Sequence, residues 1–453
     1  MEIKLIGFLI IYILLGFYMV ITLIHRNRKN GFIGAYSGMA MGFLIYYAII
    51  PFICLMNHEN EQIRRIFFVG DNPQILYSIF ITFLGFIVFN FMYRQTMSKE
   101  RVAKIKKEEK IDNKSLYDIF KVIAYLSFYV GALGCVVFFA SFGGIANALN
   151  YAEYVRSFNN SVQDVVSYGS SLFLVIAKLV IVSPYAFLIL IKENGKNRKY
   201  KIYFVLSLLL TTMILLFNAG RTQIIYTILS FAIIAIPKKI KKKWLLLILL
   251  GILALPLLDI FDSLFVFFQT GAWSSIKDIN YINYCIQFAS PFKNVIYLEE
   301  MNSIFGLRWG RDFITGILNL IPGVNFSAAY ENTSLFMSGE NWRILGGTPN
   351  DILTFSYIQF SIVGVILILG LVGYILGLID KKLVLLGKGK IELIIQTIIA
   401  LNTFGIVVST DFEALIRNNF IITLLCGGLL LVKEKKVNKK DENIICDCNS
   451  FRV

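Results

Sequence analysis

Apolar runs of roughly twenty residues, separated by short polar stretches, recur along the whole chain. They fall at 3–24, 31–55, 73–93, 118–141, 168–191, 202–218, 222–236, 244–268, 351–378, 391–409 and 415–432. A run of this length matches the ~30 Å hydrocarbon layer of a bilayer rather than a soluble core. The runs are rich in Leu, Ile, Phe and Val and lack the polar alternation of barrel strands. Lipid offers backbone amides no partners, so each run is expected to be a helix. The expected fold is an all-α polytopic membrane protein, one integral domain over 1–453 with eleven transmembrane helices. Two connections break the rule of short loops, 142–167 and 269–350, and a polar tail occupies 433–453.

Composition agrees, with 57% hydrophobic, 15% aromatic and only 16% charged residues. The placement of charge adds orientation. Of 44 Lys and Arg residues, 31 fall in six stretches at 25–30, 94–117, 192–201, 238–243, 380–390 and 433–453, and 25 of these are Lys. Cytoplasmic loops collect such residues, so these six go inside and every alternate connection goes outside. The N-terminus is then outside and the C-terminus cytoplasmic. The opening segment lacks a basic start and a small-residue cleavage pattern, so it is expected to be a retained helix. The net charge of +15 belongs to the lysine-rich inner loops facing anionic lipid, and no nucleic-acid partner is expected. Cys54, Cys135 and Cys426 sit in or beside apolar runs and Cys285 in an outer segment, which leaves no disulfide framework. Cys446 and Cys448 form a single CxC in the tail, too little for a metal site. No metal or cofactor is expected.

The outer connections reverse the inner preference, with Arg64, Arg65, Arg156, Arg221, Arg308, Arg311, Arg343 and Arg417 against Lys4, Lys277 and Lys293. Two further lysines, Lys121 and Lys178, lie within or near apolar runs. The 269–350 segment carries Trp273, Trp309, Trp342 and several Tyr and Phe anchors, so it is expected to fold against the outer membrane face. Within it, Phe313, Ile317, Leu320 and Ile321 recur at helical spacing up to Pro322. This piece is too short to span, and its basic, Trp-bearing start suggests a helix in the headgroup layer. Arg308 and Arg311 would share a face turned to lipid phosphates.

Two motifs carry candidate chemistry. Asn218-Ala219-Gly220-Arg221-Thr222-Gln223 joins two apolar runs by a tight turn, which holds Arg221 at the outer surface where the next helix begins. A phosphate there would meet a guanidinium fork, free amides and the positive end of the helix dipole. Gly346-Gly347-Thr348-Pro349-Asn350-Asp351 reads as a turn leading into a helix, with Asn350 or Asp351 near its N-cap, followed by Tyr357 and Phe360-Ser361-Ile362-Val363-Gly364.

Taken with the long loop and Gly310-Arg311-Asp312-Phe313 running into Ile321-Pro322, these features make residues 200–378 resemble the Wzy-type O-antigen polymerases of the inner membrane. Residues 1–199 match in topology only. The resemblance implies that a growing glycan on undecaprenyl pyrophosphate is transferred onto a lipid-linked oligosaccharide repeat unit at the outer face, with release of undecaprenyl pyrophosphate. A chain-length regulator is a compatible protein partner. No nucleotide sugar is needed, in keeping with the lack of a DxD motif or P-loop.

Permanently charged guanidinium forks suit a leaving pyrophosphate better than lysine does. Arg221, Arg308 and Arg311 are the first candidates for that contact, with Arg343 and Arg417 in reserve. For the general base, Asp312, Glu331, Glu340, Asp351, Asp411 and Glu413 are candidates, with Glu340 first. O-antigen ligases share the architecture but resemble it with a histidine in the large loop, whereas here His25 and His58 are the only histidines and 269–350 has none. A lipid-linked oligosaccharide flippase is the alternative of another class, yet internal repeats and charges within several spans are not evident.

Overall fold

In a computed structural model of the 453-residue chain, the residues described are 2–30, 34–61, 63–64, 74–97, 109–111, 113–150, 168–193, 197–217, 221–235, 260, 263, 267, 282, 285–286, 288–319, 321, 324, 326–339, 348–386, 390–412, 415, 420–432 and 434–436. Seven helices among them are long and apolar enough to cross a membrane. They cover Lys4–Arg26, Ala35–Met56, Gln74–Thr96, Lys114–Ser141, Leu172–Glu193, Arg198–Phe217 and Ile352–Leu385. All seven fall on expected runs. The expected runs 222–236, 391–409 and 415–432 correspond to shorter helices, Arg221–Ala235, Lys390–Val408 and Phe420–Leu431. The run 244–268 lies almost entirely outside the described residues.

In chain order the helices are α1 (Glu2–Asn30), α2 (Ala35–Leu44), α3 (Ile50–Met56), α4 (Gln74–Thr96), α5 (Asn113–Ser141), α6 (Ile145–Asn150), α7 (Tyr168–Ala177), α8 (Ser183–Glu193), α9 (Arg198–Phe217) and α10 (Arg221–Ala235). The loop contributes α11 (Ser290–Ile296), α12 (Leu298–Phe305), α13 (Arg311–Leu318) and α14 (Ala329–Ser338). The chain then forms α15 (Ile352–Leu385), α16 (Lys390–Val408) and α17 (Phe420–Leu431). Among the described residues one antiparallel pair, β1 (Glu109–Ile111) with β2 (Glu434–Lys436), joins two of the lysine-rich stretches. That pairing, the Lys382 Nζ bond to the Val432 carbonyl and the Tyr117–Tyr200 hydroxyl pair gather on one side, here termed the basic face. The described helices of the long loop, the C-terminal end of α9 and the start of α10 lie on the other, the loop face.

Proline shapes two of the spans. Pro184 has no N–H, and its ring opposes the carbonyl four residues earlier, that of Val180. The chain answers with a 3-10 segment, Lys178–Val182, in which the Val180 oxygen accepts the Ser183 amide and also the Thr211 hydroxyl of α9 at 3.1 Å. Lys178, the expected intramembrane charge, begins this segment and is half-buried. Ahead of Pro51, a π turn at Ile45–Ile49 between α2 and α3 makes the same adjustment and projects Tyr46 and Tyr47 into the core.

Lipid supplies no hydrophobic drive between helices, so contact depends on close fit. On α15, Gly373 lies against the Phe89 carbonyl of α4, and a Cβ at Gly377 would sit 2.6 Å from Thr96 Cβ. The opposite surfaces are apolar and open. Ile6, Ile10, Ile13, Phe17, Ile21 and Ile24 form such a row on α1, as lipid contact requires.

Candidate functional site at the loop face

Two buried carboxylates organise this face. The first is Asp351, which resolves the expected cap in its own favour over Asn350. Its Oδ1 accepts from the amides of Leu353 and Thr354, each at 3.0 Å, and so caps α15. The same oxygen accepts the Tyr47 hydroxyl at 2.5 Å, and Oδ2 accepts Asn294 Nδ2 of α11 at 3.3 Å. Asn350 faces the other way. It accepts the Thr333 hydroxyl of α14 at 2.5 Å and donates to Asp411 at 3.1 Å. Thr348, from the Gly-Gly-Thr-Pro turn, donates its amide to Ser334 Oγ at 2.8 Å.

The second carboxylate is Asp312. Its Oδ2 accepts Arg308 Nε and Gln359 Nε2, both at 2.6 Å, and its Oδ1 accepts the Ala329 amide at 3.0 Å. The Arg308 guanidinium also reaches the Ser327 carbonyl at 2.5 Å. One acid therefore ties together the segment before α13, the start of α14 and the middle of α15. The backbone follows, since the amides of Arg308 and Trp309 donate to the carbonyls of Ile358 and Gln359 at 3.0 and 2.9 Å. Those carbonyls are available because α15 breaks just beyond them, at Phe360 (φ −146°, ψ 28°) and Ser361 (φ 57°, ψ −144°). Gly364 is needed at the break, since a Cβ there would collide with the Ser356 carbonyl. An apolar patch of Phe313, Phe355, Ile358 and Phe412 completes the seat.

The expected site residues fall partly on this frame and partly outside the described residues. Arg221 is the first residue of α10, as the tight turn implied; its side chain, and residues 218–220, lie outside the described residues. Arg308 and Arg311 do not share a face. Arg308 precedes α13 and is drawn inward by Asp312, whereas Arg311 opens the helix and is exposed. The expected apolar stripe also turns, because Phe313 packs inward while Ile314 is exposed. The helix ends at Leu318, ahead of Pro322. Glu340, Arg343 and Arg417 lie outside the described residues, as do Gly346, Gly347 and Glu413.

Each described base candidate already accepts at least one hydrogen bond. Asp312 and Asp351 hold the contacts above, Asp411 accepts from Asn350, and Glu331 Oε1 accepts the Ala328 amide at 3.3 Å. A cavity of about 10 Å³ between Asp312, Thr315 and Asp411 has room for one water. Lys293 of α11 is half-buried under the loop, and burial lowers its ammonium pKa below the ordinary lysine value. Among the described residues, no group of three His, Cys, Asp or Glu side chains converges as a metal site.

A second feature lies beneath Arg221. Leu188 and Lys192 of α8, Phe204, Leu208 and Leu216 of α9, and Ile224, Ile228 and Phe231 of α10 border an apolar groove of about 670 Å³. It rises to the level of Leu216, near the end of α9, and Ile224, near the start of α10.

Gln359, Asn294 and Tyr47 were not singled out from the sequence. Gln359 had a legible signal, a lone amide side chain inside a long apolar run. Asn294 and Tyr47 had none, because their roles depend on a carboxylate 57 and 304 residues away. No protein-family description, curated protein or solved structure matches the chain.

Proposed function

We propose that the protein is a polymerase of lipid-linked oligosaccharide repeat units, working at the loop face and releasing undecaprenyl pyrophosphate. The observation that carries this reading is the apolar groove that runs up to the turn where Arg221 begins α10. A long isoprenoid chain suits the groove. Its pyrophosphate would then arrive at a helix start with a guanidinium beside it.

In the reaction, a hydroxyl of the acceptor sugar attacks the anomeric carbon of the donor glycan. The bond from that carbon to the pyrophosphate oxygen breaks, the hydroxyl proton passes to a base, and the pyrophosphate leaves with added negative charge. Arg221 and Arg311 stabilise that charge, each charge-assisted bond contributing about 1.5–3 kcal/mol. Arg308 acts at one remove, ordering the segment that presents Arg311. Glu340 is the assigned base, since the described candidates Asp312, Asp351, Asp411 and Glu331 each accept a structural bond. Arg343 and Arg417 complete the basic surround. The membrane is the bacterial inner membrane, with the loop face outward and the C-terminus cytoplasmic.

The test is complementation. In cells that lack their own polymerase and make the cognate repeat unit, the protein should restore a ladder of long glycans. Arg221→Ala and Arg311→Ala should leave single-repeat product at normal protein level, and Arg→Lys at either site should recover little. Single-repeat product from the wild-type chain would refute the reading. Transfer of preformed glycan to a second lipid acceptor without extension would favour ligase-like chemistry, and transport of repeat units without extension a flippase.

A further inference from the structure

Helix α13 is built inside out. Its residues Asp312, Thr315 and Gly316, and the C-cap Asn319, are buried against the protein. Ile314 and Ile317, with Ile321 just beyond, stand 66%, 55% and 51% exposed, and Trp309 before them is 71% exposed. A helix against water shows the reverse arrangement, with its apolar stripe inward. The polar side is fully used: Asp312 is bonded as above, Thr315 Oγ1 donates to the Arg311 carbonyl at 3.2 Å, and Asn319 bonds both the amide and carbonyl of Phe326.

The level of the helix follows from α15. Asp380, Lys381 and Lys382 mark the basic-face end of its apolar stretch. Some 20 residues span the hydrocarbon, and counting back by that number reaches Phe360, where the helix breaks. Its open apolar row, Val363, Leu367, Leu371 and Tyr374, begins just past the break. The loop amides of Arg308 and Trp309 bond at residues 358 and 359, and the Trp309 ring meets that of Phe360 edge-on at 6.3 Å. The exposed row of α13, through Trp309, therefore starts beside Phe360, where the open apolar row of α15 stops.

We propose that α13 lies in the bilayer interface of the loop-face leaflet, with Trp309, Ile314, Ile317 and Ile321 in the acyl boundary and Arg311 among headgroup phosphates. The occupant of this face is lipid rather than a second protein. Its basis is independent of the group the protein transfers, so failure of the polymerase assay leaves it standing.

The test uses the full chain in lipid nanodiscs with Trp309 as sole tryptophan, through Trp244→Phe, Trp273→Phe and Trp342→Phe. Trp309 emission should be blue-shifted, strongly quenched by phospholipid carrying a nitroxide at a shallow acyl position, and little affected by aqueous iodide. Efficient iodide quenching with no effect of the nitroxide lipid would overturn the proposal and leave the face to a protein partner. Should the triple substitution not fold, Ile317→Cys and Ser303→Cys in the otherwise native chain supply the second measurement. Ser303 is exposed on α12, and its cysteine should react with a membrane-impermeant maleimide well above the parent, while that of Ile317→Cys should stay at the parent level. Equal labelling of the two would refute it.

Discussion

The two halves of α15 meet at the break at Phe360 and Ser361 and differ in their surroundings. From Ile352 to Gln359 every side chain is buried, including the polar Thr354, Ser356 and Gln359. From Ile362 onward the helix alternates between an open apolar row and a glycine seam against α4. The second half is a membrane span in the ordinary sense. The first half is a post around which the loop is assembled, held by Asp351 at its tip and by Asp312 at its foot. In the placement proposed above, length beyond the hydrocarbon thickness raises this buried frame at the membrane surface.

That contrast sets the order of expected effects. The largest falls on the frame. Asp312→Ala leaves the Arg308 charge half-buried without its carboxylate and frees Gln359 and the Ala329 amide, a loss of about 3–5 kcal/mol. The loop should become sensitive to protease in detergent while the spans stay protected, and unchanged protection would dissolve the distinction between post and span.

Phe355→Ala, in the fully buried half, should cost a comparable ~3–5 kcal/mol by thermal or chemical denaturation, and a value near zero would show that the loop does not enclose it. Gly373→Val strikes the seam of the other half. With the Phe89 carbonyl in the way, it should destabilise by about 1–3 kcal/mol and lower the yield of folded protein without exposing the loop. Leu371→Ala, on the open row, should change stability by no more than ~0.5 kcal/mol. Cost equal to that of Phe355→Ala would mean that Leu371 faces protein instead of lipid.

Much of the transmembrane layout was legible because the bilayer imposes a local rule. An apolar run near 20 residues must be helical and must cross, so 73–93 anticipates Gln74–Thr96 and 202–218 anticipates Arg198–Phe217. The N-cap at the head of α15 was legible for the same kind of reason, since an acid before an apolar run has few other uses. Arg221 at the start of α10 followed from the brevity of its turn. Arg308 was misplaced because a guanidinium before a helix can face headgroups or a carboxylate one turn on, and only the packing of Gln359 and Ala329 around Asp312 decides between them. The stripe of α13 was read with the wrong rotation. Apolar spacing alone fits both Phe313 and Ile314, and Phe313 is claimed by Phe355 and Phe412.

Asp380 shows the boundary between the two kinds of knowledge. By sequence it is an acid at the end of an apolar run, part of a charged connection. In the fold it is buried, accepts the amides of Ala35 and Tyr36 at 2.7 and 3.1 Å, and accepts the Tyr93 hydroxyl at 2.8 Å, so it caps α2 from 345 residues away. The chain by itself determined that this is a helical membrane protein, where most spans lie and which connections are basic, because those follow from transfer of local segments into lipid. The break in α15, the cap on α2 and the choice between Arg308 and Arg311 as the exposed guanidinium were decided by tertiary structure. Each depends on which distant group satisfies a buried polar atom, and no local pattern records that partner.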